Sequence, residues 1–374
     1  MGQLNGQYMQ LYESCIPVKG YLRSIIYDLQ RSHYFFVPNE MLLFLKKYKK
    51  RPFSINDSNL NEIEKSYYHF LVKNDLVFIC NNNDKNSFPE INLDYDTPEL
   101  IFKINLKIDK NLNYEKINFI INTSNAKIIN VYLTENSNLG FINRLIKSIK
   151  NSTIKNLNIY IDENVFDENK IESVFEIDER IKFVFILTDE ILSDYTLNKR
   201  LANKVYKLPK KYNEIFNIKQ TDFIVETSLF IESQTKNTYY NKTIFIDEQG
   251  YLLSSFSDNN KHYNIKDIIN KSDLECIIAS KTFETIYSLS KIKIDICKHC
   301  EFRHMCIDNR LPIKRNDKNW FMTTECNYNP YISKWKTEEG YKNLAECGVI
   351  SNKNGFKINR KKINSINKAL WGDD

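Results

Sequence analysis

The stretch IINVYLTENSNLGFINRLIKSIKNSTIKNLNIYI, residues 128–161, begins and ends on apolar, β-branched runs. Between them Ile142, Leu145, Ile146 and Ile149 recur at the spacing of one helix face, and Ser137 stands where an N-cap belongs. A strand, an amphipathic helix and a second strand in this order read as a βαβ unit. KFVFIL, residues 182–187, repeats the strand rhythm, and Ile171, Val174 and Phe175 start a helix before it. The spacing predicts an α/β fold whose parallel sheet forms an open or partial barrel over roughly residues 96–230. No phosphate-cradling GxGxxG or Walker loop accompanies these units, the whole chain has only nine glycines, and no nucleophile elbow is present. Nothing here marks an ordinary nucleotide-dependent enzyme.

Upstream, residues 80–99, CNNNDKNSFPEINLDYDTPE, are polar and lack apolar periodicity, as a linker would. Residues 10–85 before them read as a small module. PVKGYLRSIIYDL and HYFFVP are rich in β-branched and aromatic residues and are expected to pair as strands around a turn near Gln30 to Ser32. Met41, Phe44, Leu45 and Tyr48 mark a helix ending before Pro52; Ile63, Tyr67, Phe70 and Leu71 mark a second, and LVFIC a closing strand. This order is winged-helix-like. Such modules take nucleic acid or an extended peptide, and a helix carrying Glu62, Glu64, Lys65 and His69 lacks the basic face that groove binding asks for. Peptide addition to a sheet edge is the better functional expectation, with a structural cap as the plain alternative. KKYKKR, Lys46 to Arg51, reads as a solvated helix end.

A chain of 374 residues with 42% hydrophobic content buries its own core without disulfides. Its formal charge of +6, 53 basic against 47 acidic residues, is a mild excess spread along the chain, which permits an acidic partner without demanding one. No stretch approaches a membrane span and the N-terminus lacks the regions of a signal peptide, so the expected compartment is the cytoplasm.

Downstream, EQG at 248–250 reads as a hairpin turn, and short helical patterns lead to CKHCEFRHMC at 297–306. Four of eight cysteines, Cys297, Cys300, Cys306 and Cys326, fall within thirty residues. The close Cys297–Cys300 pair puts two thiolates on one turn, and the other two can complete a four-thiolate shell. A typical zinc ribbon would pair two CxxC knuckles, and a CCCH finger would put His where Arg310 stands. His299 and His304 are chemically able ligands but are surplus to four cysteines. Zinc and an iron–sulfur cluster both remain open at this point. Cys15, Cys80, Cys276 and Cys347 are expected to be buried thiols.

Residues 242–335 resemble a SPASM domain, the cluster-binding extension of peptide-modifying radical S-adenosylmethionine (SAM) enzymes. IFIDEQGYL, NIKDI, CKHCEFRHMC and ECNYNPY fall in the family's order. That family expects further cysteines where this chain has Ser255 and Arg310. The resemblance therefore implies one auxiliary-type [4Fe-4S] cluster on Cys297, Cys300, Cys306 and Cys326, with zinc as the alternative. The CxxxCxxC loop that holds the SAM-cleaving cluster occurs nowhere in the chain, so the βα region resembles a degenerate radical SAM partial barrel, and SAM is not expected.

At full length the chain resembles the SPASM-domain maturase of grasp-with-spasm peptide systems. The expected domains are a leader-recognition module and linker (1–95), the degenerate barrel (96–230) and a SPASM-like cluster domain with its tail (231–374). The implied function is a maturation factor that binds the leader of a ribosomally made precursor and works with an ATP-grasp ligase. In this reading the leader lies beside PVKGYLRSIIYDL, with Leu22, Ile25 and Tyr27 shaping its pockets. The alternatives are a redox-active peptide-modifying enzyme using the same cluster, or a zinc-dependent nucleic-acid-binding protein.

Overall fold

A computed structural model describes residues 7–49, 51–54, 60–84, 87–133, 139–165, 171–189, 205–210, 219–316 and 319–372. Ser137, the expected N-cap, lies outside them. The chain forms two compact units, each assembled from separated stretches: Met1–Tyr95, Phe216–Thr238 and Ser290–Asp374 in one, Asp96–Ile215 and Tyr239–Leu289 in the other.

In the first unit, β1 (Gln7–Leu11) precedes an antiparallel sheet of β2 (Cys15–Lys19), β3 (Arg23–Asp28) and β4 (His33–Pro38), with β3 in the centre. PVKGYLRSIIYDL is therefore two strands and not one. The Gly20 N–H donates to the Arg23 carbonyl at 3.1 Å, and a Cβ on Gly20 would stand 2.3 Å from that oxygen, so the turn requires glycine. Pro17 is tolerated because β2 is an edge strand. Helix α1 (Asn39–Tyr48) buries Met41, Phe44 and Tyr48, as its spacing predicts. Helix α2 (Glu62–Lys73) starts with a capping box of Asn61 and Glu64 and buries Leu71. Ile63 departs from the expected stripe: it sits in the first turn, 61% exposed, beyond the reach of the core. β5 (Val77–Asn81) closes the module against β1, a strand that the sequence pattern did not reveal.

The second unit is a sheet covered by helices. β6 (Lys103–Ile108), α3 (Tyr114–Ser124), β7 (Ile128–Leu133), α4 (Leu139–Ser148), β8 (Asn156–Asp162), α5 (Ile171–Ile177), β9 (Ile181–Thr188) and β10 (Val205–Pro209) follow in order. These five strands are parallel and lie side by side in chain order. The chain then returns to the first unit as α6 (Thr227–Thr235) before giving the sheet β11 (Thr243–Ile246), β12 (Tyr251–Leu253) and β13 (Tyr263–Asn264). β11 pairs parallel with β6, and β12 and β13 add antiparallel strands, so the sheet is open among the described residues. Gly250, at φ +85°, makes the expected turn between β11 and β12.

One face of this sheet is aliphatic. Leu106, Val131 and Ile159 pack, fully buried, against Ile120, Ile142 and Leu145 from the helices, each such side chain contributing about 1.5–3 kcal/mol by leaving water. α7 (Lys271–Ile278) and α8 (Lys281–Tyr287) add Leu274 and Phe283 to the same core. The other face carries a row of amides, Asn158 Nδ2 donating to Asn130 Oδ1 and Asn130 Nδ2 to Asn105 Oδ1, each at 2.8 Å. Beside it Tyr132, Tyr160 and Phe185 stack at 4.3 and 4.6 Å between ring centroids.

The three consecutive regions of the sequence reading are thus redistributed. Tyr239–Leu289 joins the sheet because β11 needs the open edge of β6, and Phe216–Thr238 joins the first unit because α6 packs there. Two thiols also differ from expectation: Cys276, on α7, is exposed, and Cys80, on edge strand β5, is half-buried.

Candidate metal centre

The cysteine loop has almost no regular structure of its own. Cys297–His299 and Glu301–His304 are single 3-10 turns, and Cys326 precedes the two-residue strand Tyr328–Asn329. Immediately before Cys297 the backbone is strained: Ile296 takes φ +64° and ψ −55°, and the Cys297 N–H donates to the Asp295 carbonyl at 2.6 Å. This is a γ-turn of the rare hand, costly for a β-branched residue. Its neighbour Asp295 is held by Arg315 Nη1 at 2.6 Å, by Lys298 at 3.2 Å and by the Ser351 hydroxyl at 3.2 Å. Strain fixed this firmly sets the direction of the first thiol.

The rest of the loop is docked on β2 and β3. Tyr21 N–H donates to the His299 carbonyl at 2.8 Å, Tyr27 hydroxyl to the Glu301 carbonyl at 2.7 Å, and Arg303 Nη1 to the Lys19 carbonyl at 2.8 Å. Glu301 is wholly buried. Its Oε1 accepts from Arg23 Nε at 2.8 Å and from the Tyr328 hydroxyl at 2.5 Å, while Oε2 has no partner. Burial pushes the Glu301 carboxyl above its ordinary range despite the Arg23 guanidinium. From the other side α6 brings Ser233 Oγ to 2.8 Å and Gln234 Nε2 to 3.1 Å from His304 Nδ1, and the Thr238 hydroxyl donates to the Cys306 carbonyl at 2.9 Å.

Cys297, Cys300, Cys306 and Cys326 together border one cavity of about 40 Å³, walled also by Phe223, Lys291, Phe302, Asp308, Arg310 and Tyr328. Among the described residues no three His, Cys, Asp or Glu side chains converge closely enough to hold a single ion. Four thiols bordering one space are the donor set of a four-thiolate centre, of either zinc or iron–sulfur type. The space exceeds the room one water needs. Burial pushes all four thiols up, Cys326 to about 12 against the pull of Arg310. They are therefore protonated at neutral pH unless a metal displaces the protons. The Tyr328 N–H already points at Cys326 Sγ, 3.4 Å away.

Arg310 is buried and forms a two-point pair with Asp308, Nε to Oδ1 at 3.0 Å and Nη2 to Oδ2 at 2.6 Å. Ser255 belongs to the sheet unit and its hydroxyl is buried without a partner. Neither histidine borders the cavity. His299 stacks on Phe356, and His304 is buried beside Tyr27 and Phe230. Cys347 lies in a separate apolar cluster, accepting from Asn329 Nδ2 at 3.4 Å. Arg23 carried no sequence signal, since only the fold brings it to the cysteine loop; Lys291, Glu301 and Asp308 lie in or beside the motif, but their roles depend on where the fold turns their side chains.

Of Leu22, Ile25 and Tyr27, the residues expected to face a peptide, the last two lie on the central strand of their sheet. β3 is flanked on both sides, so it has no free edge, and Ile25 and Tyr27 are fully buried in the core that also holds Phe302. Leu22 lies in the turn before β3. A groove of about 450 Å³ opens elsewhere in this unit, along Met9–Glu13, Cys15, Ile16 and Pro17 on one side and Leu42, Leu45, Lys46 and Lys49 of the α1 face on the other. The basic run after α1 is thus partly a groove wall.

No protein-family model matches the chain, and no curated protein does. Among solved structures it is similar to a crystal structure of SuiB from Streptococcus suis, with 10% identity, a TM-score of 0.32, and coverage of 79% of this chain and 94% of that one. A second crystal structure of SuiB, bound to S-adenosylmethionine, matches with the same identity and TM-score over 80% of this chain and 94% of that one. A likeness at that TM-score bears no weight for shared fold or chemistry.

Proposed function

We propose that this protein is a maturation factor for a ribosomally made peptide, holding one [4Fe-4S] cluster on Cys297, Cys300, Cys306 and Cys326. The observation that carries the reading is the single cavity bordered by four thiols, Cys306 buried and the others half-buried, from a C-x2-C-x5-C turn and a later cysteine. The cluster would supply a redox-active, structurally organising centre, while Glu301, Arg23 and Tyr328 orient the loop that bears it. The degenerate radical SAM-like character of the βα region and the partnership with an ATP-grasp ligase rest on the family resemblance.

The leader of the precursor is assigned to the groove between the β1–β2 segment and α1, in place of β3. The outer edge of β2 offers backbone groups, Leu42 and Leu45 an apolar floor, and Lys46 a charge for an acidic side chain, while Lys49 is paired with Glu90 at 3.3 Å. Anaerobically prepared full-length protein should contain iron and sulfide rather than zinc. It should bind the leader peptide with modest salt dependence, and Leu42→Glu should weaken that binding at least tenfold. A zinc-only protein that prefers a random duplex, with steep salt dependence, would establish the nucleic-acid alternative. A short precursor gene and an ATP-grasp gene beside this one would supply the biological setting.

A further inference from the structure

The side chains around the four-cysteine cavity are not electrically balanced. Lys291, Arg303 and Arg310 border it against one carboxylate, Asp308. Asp308 is fully engaged by Arg310, whose remaining Nη1 donates to the Thr324 carbonyl at 2.5 Å. Arg303 reaches backbone carbonyls of Lys19 and Cys300, at 2.8 and 2.9 Å. Lys291 has no such arrangement. It is 6% exposed, yet among the described residues its ammonium has neither a hydrogen-bond acceptor nor a carboxylate partner. An ammonium on so little-exposed a side chain, lacking a carboxylate partner, is stabilised by an anion that faces it. The groups facing it from the packed elements are Cys297 and Cys306, with His304 beside them as a neutral ring. Four thiolates around either a zinc ion or an iron–sulfur core carry a net negative charge, which a protonated thiol does not.

We propose that Lys291 is the internal counter-cation of the four-cysteine cavity and sets the reduction potential of the iron–sulfur group held there. This rests on the cluster assignment above. A fixed positive charge favours the more negative, reduced form of the cluster, because net charge in a dry site is weakly screened. Lys291 makes no covalent bond to the group and transfers nothing. It acts as a positioning charge.

The test compares full-length protein with Lys291→Met and Lys291→Arg after anaerobic reconstitution, reading iron, sulfide and the midpoint of a dithionite titration followed by electron paramagnetic resonance. In Lys291→Met the ratio of reduced to oxidised cluster at a fixed potential should fall at least tenfold, about 59 mV for a one-electron couple. Lys291→Arg should restore most of it. Loss of iron and sulfide in the Met variant that the Arg variant recovers also supports a counter-charge. An unmoved midpoint at full iron and sulfide overturns the proposal, as does equal loss of the cluster in both variants, which would mark a packing role. Wild-type protein that takes zinc without iron or sulfide overturns the cluster assignment itself. The counter-charge is then judged by chelator release, which Lys291→Met should accelerate at least tenfold and whose equality in both proteins would overturn it.

Discussion

The sheet unit and the cysteine unit are held together in opposite ways. In the sheet, neighbours in space are near neighbours in sequence: β6 through β10 lie in chain order and their aliphatic face is covered by the helices between them. In the cysteine unit the decisive pairs span most of the chain, Arg23 to Glu301 across 278 residues and Arg23 to Tyr328 across 305. The first kind of unit is stabilised by area buried and should tolerate polar change outside its core. The second rests on a few buried polar contacts and on whatever the cysteines hold, so single changes should act sharply.

The largest break expected is loss of the cofactor. Cys297→Ala, Cys300→Ala, Cys306→Ala or Cys326→Ala should each reduce iron and sulfide to background and open the first unit to proteolysis, leaving the sheet unit protected. Cys276→Ala and Cys347→Ala should retain wild-type iron. An equal drop for Cys347→Ala would remove Cys326 from the ligand set.

Next is the sheet itself. Ile159→Ala, at a fully buried position, should cost about 2–5 kcal/mol in denaturant unfolding while iron per folded molecule stays constant. If iron falls in parallel with stability, the two units do not unfold independently. Arg23→Met should cost about 3 kcal/mol by leaving Glu301 buried without its guanidinium, and Arg23→Met with Glu301→Gln should recover part of it. Equal stability of single and double variants in a mutant cycle would refute a specific pairing.

The smallest effect is set by pH. Burial lowers His304 from an ordinary 6.5 to about 3, so the folded protein holds this ring neutral where the unfolded chain protonates it. Between those two values the unfolded state binds the extra proton. Stability contributed by the neutral ring is therefore complete above about 6.5 and declines as pH falls toward 3. His304→Gln should flatten that part of the stability–pH curve, and an unchanged slope would relocate the effect.

Legibility from sequence follows the same division. IINVYL, LNIYI and KFVFIL were readable as strands because each alternates with a helix whose stripe faces it, and Ile142, Leu145 and Ile149 are buried as their spacing demands. The four cysteines were readable as a group, and they do border one cavity. What sequence spacing could not carry is pairing at a distance. QYMQL at 7–11 has no strong strand signature and becomes β1 through pairing with β5. Ile25 and Tyr27 alternate as a surface strand would, but the cysteine loop covers them from 274 residues away, as in the bond from Tyr27 to the Glu301 carbonyl. Gly20 was visible in PVKGYLRSIIYDL, and its close approach to Arg23 was the available clue to the break.

The discontinuity of the first unit bears on the order in which the protein is made. Its N-terminal strands leave the ribosome first, but the cavity needs the loop at 297–310 and Cys326, both synthesised after β11 has emerged to pair with β6. The sheet can thus close while β3 still lacks the loop that covers Tyr27, and the opening module of the chain is the last to be completed. Loading of the proposed cluster would follow translation on this path, and a nascent chain stalled before Cys326 would present three thiols of an unfinished site.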